Sequence, residues 1–383
     1  MAKRFDLAII NRSFWPKDQI LGESLMQIAE RASIEKKSTV ILTQYTGNLE
    51  KIAKKFGRGL NLKFRSCKER SDSSSKLFFR IIDVIIFTLW VCWNLLVNRP
   101  KKIYVSTNPP LIVPFAVFIY SKIFNATYVY HLQDIHPELT NVAIKLNPVL
   151  FLFFKKVDGL VLRHASSIIT ITQTMKNEII KRSNTKSHIY LIDNPAANYN
   201  PTTHKRVKGF IFSGNLGRLQ KIPLLLKSIK RYKDEGGSLP FLLIGGGLFA
   251  EEARLLSTKY KDIKFERLVD VKKAYELSYK YEWALLPIDD EATKYAFPSK
   301  TSSYVSCGLK ILSICSNHTI VAKWILKNNY GINSLPNIDD LVNIFFKIEK
   351  GLTFNNTVGE SDYFSIKNYV QRLFNILFEL KEF

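Results

Sequence analysis

Short apolar runs ending in glycine or small polar residues recur along this chain, each followed by a stretch with apolar residues three or four positions apart. Apolar runs without alternation predict strands buried on both faces, and the 3.6-residue period between them predicts covering helices. Residues 6–10, 39–43, 102–106, 127–133, 166–172 and 188–192 make one set of such strands. Residues 209–212, 240–244, 263–266, 283–286 and 310–313 make a second. The polar stretch 194–208, with Pro195 and Pro201, reads as a linker between the sets. Strand and helix in alternation predict an α/β fold of two Rossmann-like, doubly wound parallel-sheet domains facing a cleft.

One segment breaks the rhythm. Residues 77–97 are apolar except Arg80, Asp83, Thr88 and Asn94, about the length that crosses a bilayer. The residues before it, from 50 to 80, are strongly basic, and Arg99, Lys101 and Lys102 close it. A buried helix, a spanning helix and a helix lying on a membrane all fit that length. The basic flanks favour the last, resting on an anionic surface through Phe79, Ile82, Ile86, Trp90 and Trp93, with Phe151 and Phe154 repeating the theme beside Lys155 and Lys156. On this reading Val91→Glu releases the protein from vesicles.

Composition narrows the partners. The chain has 383 residues and a formal net charge of +23, which draws it to polyanions or anionic lipid. No recognition-helix, zinc-finger or RNA-binding signature accompanies that charge, so nucleic acid is not the expected partner. The four cysteines lack metal or redox spacing, which predicts a reduced, cytoplasmic protein, and no secretory leader is legible.

The stretch "GFIFSGNLGRLQK" carries the candidate chemistry. A strand that ends in glycines before a helix lets backbone approach a ligand, and a helix start favours anions. Arg218 and Lys221 add cations, and a diphosphate is the ligand that suits them. A tight strand-to-helix turn steered by glycine fits the same residues.

Several motifs follow one another in order: "NRSFWPKDQILGESLMQIAE", "VSTNPPLIVPF", "YHLQDIHPE", "LRHASSIITITQTMK", "IYLIDNPA", "FSGNLGRLQ", "FLLIGGG" and "FPSKTSSYVSCGLKIL". Across nearly the whole chain the series resembles the family-four glycosyltransferases of two-Rossmann-domain (GT-B) architecture. It is most similar to the branch that builds bacterial O-antigen, capsule and other surface polysaccharides. The resemblance implies a retaining transferase that needs no metal or cofactor. It would move a sugar from a nucleotide diphosphate donor, UDP favoured, to a polyprenyl-diphosphate-linked saccharide at the cytoplasmic face of the bacterial inner membrane. The implied domains are an acceptor-binding, membrane-associating 1–195, a linker 196–208, a donor-binding 209–360, and a helix in 361–383 returning to the first domain.

For the donor, the resemblance implies Gly22, Gly214, Asn215, Arg218, Gln220, Lys221, Leu268, Pro298, Ser299, Lys300 and Ser303. Asp134, His131 and Glu138 are the catalytic candidates, with a carboxylate orienting or deprotonating the acceptor hydroxyl. Alternation along the strand puts His131 and Gln133 on one face and Leu132 and Asp134 on the other, so they share a site only if the chain bends. Asp134 as a helix cap is the plainer reading. The chain departs from the pattern where many relatives carry two glutamates seven residues apart: Ser303 and Tyr295 stand there. Asp289, Asp290 or Glu291 would then meet the sugar hydroxyls. That departure keeps two alternatives open, a nucleotide-sugar 2-epimerase of the same fold and a catalytically degenerate binding subunit.

Overall fold

A computed structural model describes residues 4–71, 77–197, 206–267, 269–352, 354 and 362–378. The expected site residue Leu268 and most of the expected linker lie outside them. The described residues divide into two compact units. One runs through Pro195 and includes the helix Ile366–Phe378; the other is Ala196–Ser365.

The first unit holds strands β1 (Leu7–Ile10), β2 (Thr39–Gln44), β3 (Lys63–Cys67), β4 (Lys102–Ser106), β5 (Thr127–His131), β6 (Ser167–Thr170) and β7 (His188–Leu191). The second holds β8 (Val207–Ser213), β9 (Phe241–Ile244), β10 (Ile263–Glu266), β11 (Tyr281–Pro287), β12 (Lys310–Ile314) and β13 (Gly331–Ser334). The sheet orders are β3-β2-β1-β4-β5-β6-β7 and β10-β9-β8-β11-β12-β13, with every pair parallel. The winding therefore reverses at β1/β4 and at β8/β11, and loops leaving β1 and β8 open where doubly wound sheets take ligands.

The strands with continuous apolar runs are the central ones. All four residues of β1 and all four of β9 are buried, as a sheet covered by helices on both faces requires. Two strands escaped the apolar-run reading, β3 (KFRSC) and β13 (GINS). Both lie at sheet edges, where half-covered positions accept polar residues. In the first core, Leu25, Ile28, Ile41 and Tyr104 pack with Leu373, Phe374 and Leu377 of the helix Ile366–Phe378. Lys102 Nζ donates to the Leu377 carbonyl and Arg372 to that of Leu191, so polar contacts tie the same helix down. The second core stacks Phe210 on Phe241, with Tyr232 and Phe345 around them.

Candidate functional site

In the second unit, the loop after β8 is built from two glycine-rich turns laid side by side. Gly214 N–H donates to the Ile244 carbonyl and Leu216 N–H to that of Gly246, joining residues 214–216 to 245–247. A Cβ on Gly245 would sit 1.8 Å from the Gly214 oxygen, so no side chain fits between the loops. Gly214 itself has φ +144°, a backbone glycine favours. The chain does not pass straight into an α-helix. A single 3-10 turn, Arg218–Gln220, comes first, then Lys221 in the left-handed region, and only then the helix Ile222–Asp234.

Lys300 reaches this loop from the helix Lys300–Ser306. Its Nζ lies 4.0 Å from the centre of the Phe212 ring, and a Cβ on Gly214 would come within 2.9 Å of it. The ammonium is buried and meets no hydrogen-bond partner among the described residues. Burial pushes it from 10.5 down to about 7. One turn on, at i+4, the Tyr304 hydroxyl takes a hydrogen bond from the Ser213 N–H at 3.0 Å, fixing the helix against the end of β8. Tyr304 went unnoticed in the sequence, although its helical spacing from Lys300 is a legible signal.

The other expected donor residues divide into free and engaged. Arg218 is exposed and makes no ion pair among the described residues. Asn215 and Gln220 flank Gly217, where a Cβ would lie 2.9 Å from Asn215 Nδ2 and 3.1 Å from Gln220 Oε1. Lys221 is engaged: its Nζ pairs with Asp290 at 3.3 Å, and Asp290 also accepts from the Ser316 N–H. Asp289 accepts from the Glu291 and Ala292 N–H groups, while Glu291 pairs with Lys294. These carboxylates hold their own loop rather than standing ready for sugar hydroxyls. The Pro298 carbonyl closes the first turn by accepting from Thr301, and Ser299 is exposed without capping the helix. Ser303 accepts a hydrogen bond from the Tyr275 hydroxyl at 2.9 Å, and the Tyr275 oxygen in turn accepts from Ala197 N–H. Gly22, expected to meet the donor, is the second residue of the helix Leu21–Ile34, where a Cβ would strike the Phe14 and Trp15 backbone at 2.7 Å.

In the first unit, β5 ends at His131 and the chain bends over the next residues, so strict alternation stops there. His131 is buried, its Nδ1 2.6 Å from the Tyr104 hydroxyl and its Nε2 without a hydrogen-bond partner among the described residues; burial lowers it to about 4. Asp134 has no hydrogen bond or ion pair among the described residues, and burial raises it to about 6. It caps no helix. Glu138 has a different environment. Its carboxylate pairs with Arg182 at 2.7 Å and with Lys155 at 3.5 Å, and Arg182 also holds Asp158 and the His136 carbonyl. Glu138 is thus committed to a buried ion network, and the free carboxylate is Asp134.

The helix Leu77–Asn98 is two-faced. Asp83 is 0% exposed, 2.7 Å from Arg12 Nη2 and accepting from Gln44 and Ser71; Phe87, Val91 and Leu95 are buried on the same side. Phe78, Phe79, Ile82, Ile85, Leu89, Trp93 and Leu96 are exposed on the other. Ile86 and Trp90 are half-buried at the margin. On the helix Pro148–His164, Phe151 and Phe154 are half-buried while Leu152 and Phe153 are exposed, a shift of one position from the expected face. Val91, at 0% exposed, is a core residue, so Val91→Glu would bury a charge instead of probing a surface. By length and composition this one described helix could cross a membrane. Among the described residues no group of His, Cys, Asp and Glu gathers as a metal site.

No protein-family model matches the sequence, and no curated protein does. Solved structures do match. Sucrose-phosphate synthase from Thermosynechococcus elongatus is similar over 99% of this chain and 100% of its own, at 13% identity and a TM-score of 0.72. WaaG, a glycosyltransferase involved in lipopolysaccharide biosynthesis, is similar over 97% and 99%, at 11% identity and 0.65. A UDP-N-acetylglucosamine 2-epimerase is similar over 100% and 98%, at 11% identity and 0.57. At such identities the likeness is one of fold. The expected class, two Rossmann-like parallel-sheet domains of GT-B type, is the one observed.

Proposed function

We propose that this chain is a glycosyltransferase. It takes a sugar from a nucleotide diphosphate donor, UDP favoured, and passes it with retention to a polyprenyl-diphosphate-linked saccharide in bacterial surface-polysaccharide synthesis. The observation that carries the reading is the Lys300 ammonium, buried and without a hydrogen-bond partner among the described residues, against a glycine-opened loop at a sheet reversal. A buried cation without a counter-charge is costly unless an anion arrives, and a departing nucleoside diphosphate supplies one. Arg218, Asn215 and Gln220 border the same loop and would share the diphosphate. Asp134, free and raised to about 6, is the group suited to hold or take the acceptor proton near neutral pH.

The exposed apolar side of Leu77–Asn98 supports peripheral attachment at the cytoplasmic face of the inner membrane. Its Asp83 is bound to Arg12 and so keeps the opposite side on the protein. Leu89→Ser with Trp93→Ser should release the protein from anionic vesicles, and unchanged partitioning would remove the membrane from the proposal.

The 2-epimerase likeness favours a second reading, isomerisation of the free nucleotide sugar. Product analysis with sugar nucleotides and a synthetic lipid-linked acceptor separates the two. Nucleoside diphosphate released only when acceptor is present supports transfer; a converted nucleotide sugar without acceptor supports the epimerase. Asp134→Asn should leave donor binding intact while reducing transfer, and a collapse of nucleotide affinity would give that residue another role.

A further inference from the structure

Between edge strand β3 and the helix Leu77–Asn98 the first unit has a cavity of about 610 Å³, lined among others by Arg65, Ser66, Trp90, Trp93 and Asn94. Its walls are unusual for a surface recess. Arg65 is exposed and has no ion pair among the described residues, and the Ser66 hydroxyl has no hydrogen bond there. Lys63, two residues earlier and therefore on the same face of β3, donates to Asn98 at 2.9 Å. Burial, and then the like charge of Arg65, holds Lys63 below its ordinary value. The carboxylate at the rim, Glu50, pairs with Lys54 at 3.1 Å. Trp93 is 66% exposed and belongs both to the cavity and to the outward apolar side of the helix.

We infer that this cavity binds the phosphodiester head group of an anionic membrane phospholipid. Arg65 would donate to the phosphate through its guanidinium, and Trp90 and Trp93 would pack on the glycerol and upper acyl carbons. The assignment follows from which chemistry is free. A guanidinium without an ion pair suits one phosphate, and tryptophan is the side chain that joins an apolar phase to a polar one. The head-group site rests on the membrane attachment proposed above, but the two are separable. Attachment depends on the whole apolar side, whereas the head group depends on Arg65.

The test uses the full-length protein and dihexanoyl phosphatidylglycerol below its micellar concentration, read by tryptophan emission and by calorimetry. Saturable binding is expected, weakened about tenfold by Arg65→Ala and lost in Trp93→Ala, with unchanged melting temperatures because both residues are exposed. Leu89→Ser, outside the cavity, should keep this binding while weakening adsorption to phosphatidylglycerol vesicles. Equal binding of dihexanoyl phosphatidylcholine would overturn the inference by showing no charge recognition. Tighter binding of geranyl diphosphate, or binding of inorganic phosphate alone at the same strength, would overturn it by assigning the cavity to a different phosphate. Indifference of Arg65→Ala would do the same.

Discussion

Each unit buries a basic side chain, and the two are treated in opposite ways. Arg182 in the first unit meets Glu138 and Asp158 and donates to the His136 carbonyl, and Asp158 also accepts from the Tyr130 hydroxyl. Lys300 in the second lies against the face of Phe212 and has no hydrogen-bond partner among the described residues. A cation–π contact returns a fraction of the hydration an ammonium loses, whereas two carboxylates and a carbonyl replace it. Arg182 is therefore part of what holds its unit together. On the proposed function, Lys300 is a group whose counter-charge would come from outside the chain. The difference separates architecture from site more surely than burial or residue type does, since both groups are basic and buried.

The largest effect that would break the comparison is on stability. Arg182→Met leaves Asp158 and Glu138 buried without their main cation, and should cost about 3–5 kcal/mol in chemical denaturation. Lys300→Met removes an uncompensated charge and should leave the melting temperature at neutral pH unchanged or raised. If Lys300→Met destabilises as much as Arg182→Met, the lysine is structural and the contrast fails.

The next effect is on turnover. Loss of a fixed cation at a developing charge costs about 10²–10³ in rate, so Lys300→Met should lower kcat of sugar transfer by about that factor. Arg218→Ala should follow with a smaller loss, because an exposed guanidinium works against water. Asp289→Ala should matter least for chemistry, its carboxylate being spent on the Glu291 and Ala292 N–H groups. Equal losses in all three would detach the diphosphate from this loop.

The contrast also marks what could be read from sequence. The central strands were legible because burial on both faces forces continuous apolar runs, and β1, β2, β4, β8 and β9 carry them. Edge strands β3 and β13 were not, because one uncovered edge relaxes that demand. Among the site residues, Gly214 and Lys300 were named from a motif, but their mutual approach depends on a seven-residue helix docking at the end of β8. Glu138 looked as available as Asp134 in "QDIHPE". What distinguishes them is Arg182, 44 positions away, which no local pattern announces. The outward side of Leu77–Asn98 was legible as apolar but not in phase, since Asp83 and its bond to Arg12 fix the helix rotation.

The finest test of the comparison is the pH dependence of donor binding. Burial holds Lys300 at about 7 in the free protein, and a bound diphosphate would return it toward its ordinary 10.5. Between those values binding must take up a proton, so affinity for a nucleotide sugar, whose phosphodiesters do not titrate there, should fall about tenfold per pH unit above 7. Lys300→Met should bind weakly with no such slope. Calorimetry in buffers of different ionisation enthalpy would count the proton directly, and a flat profile in the wild-type chain would mean that Lys300 never faces the phosphates. The free protein should show the opposite sign. From about pH 7 to 10.5 the unfolded chain retains the Lys300 proton that the folded one has released, so this group makes folding more favourable as pH rises. One side chain would then weaken binding and strengthen the fold over the same interval.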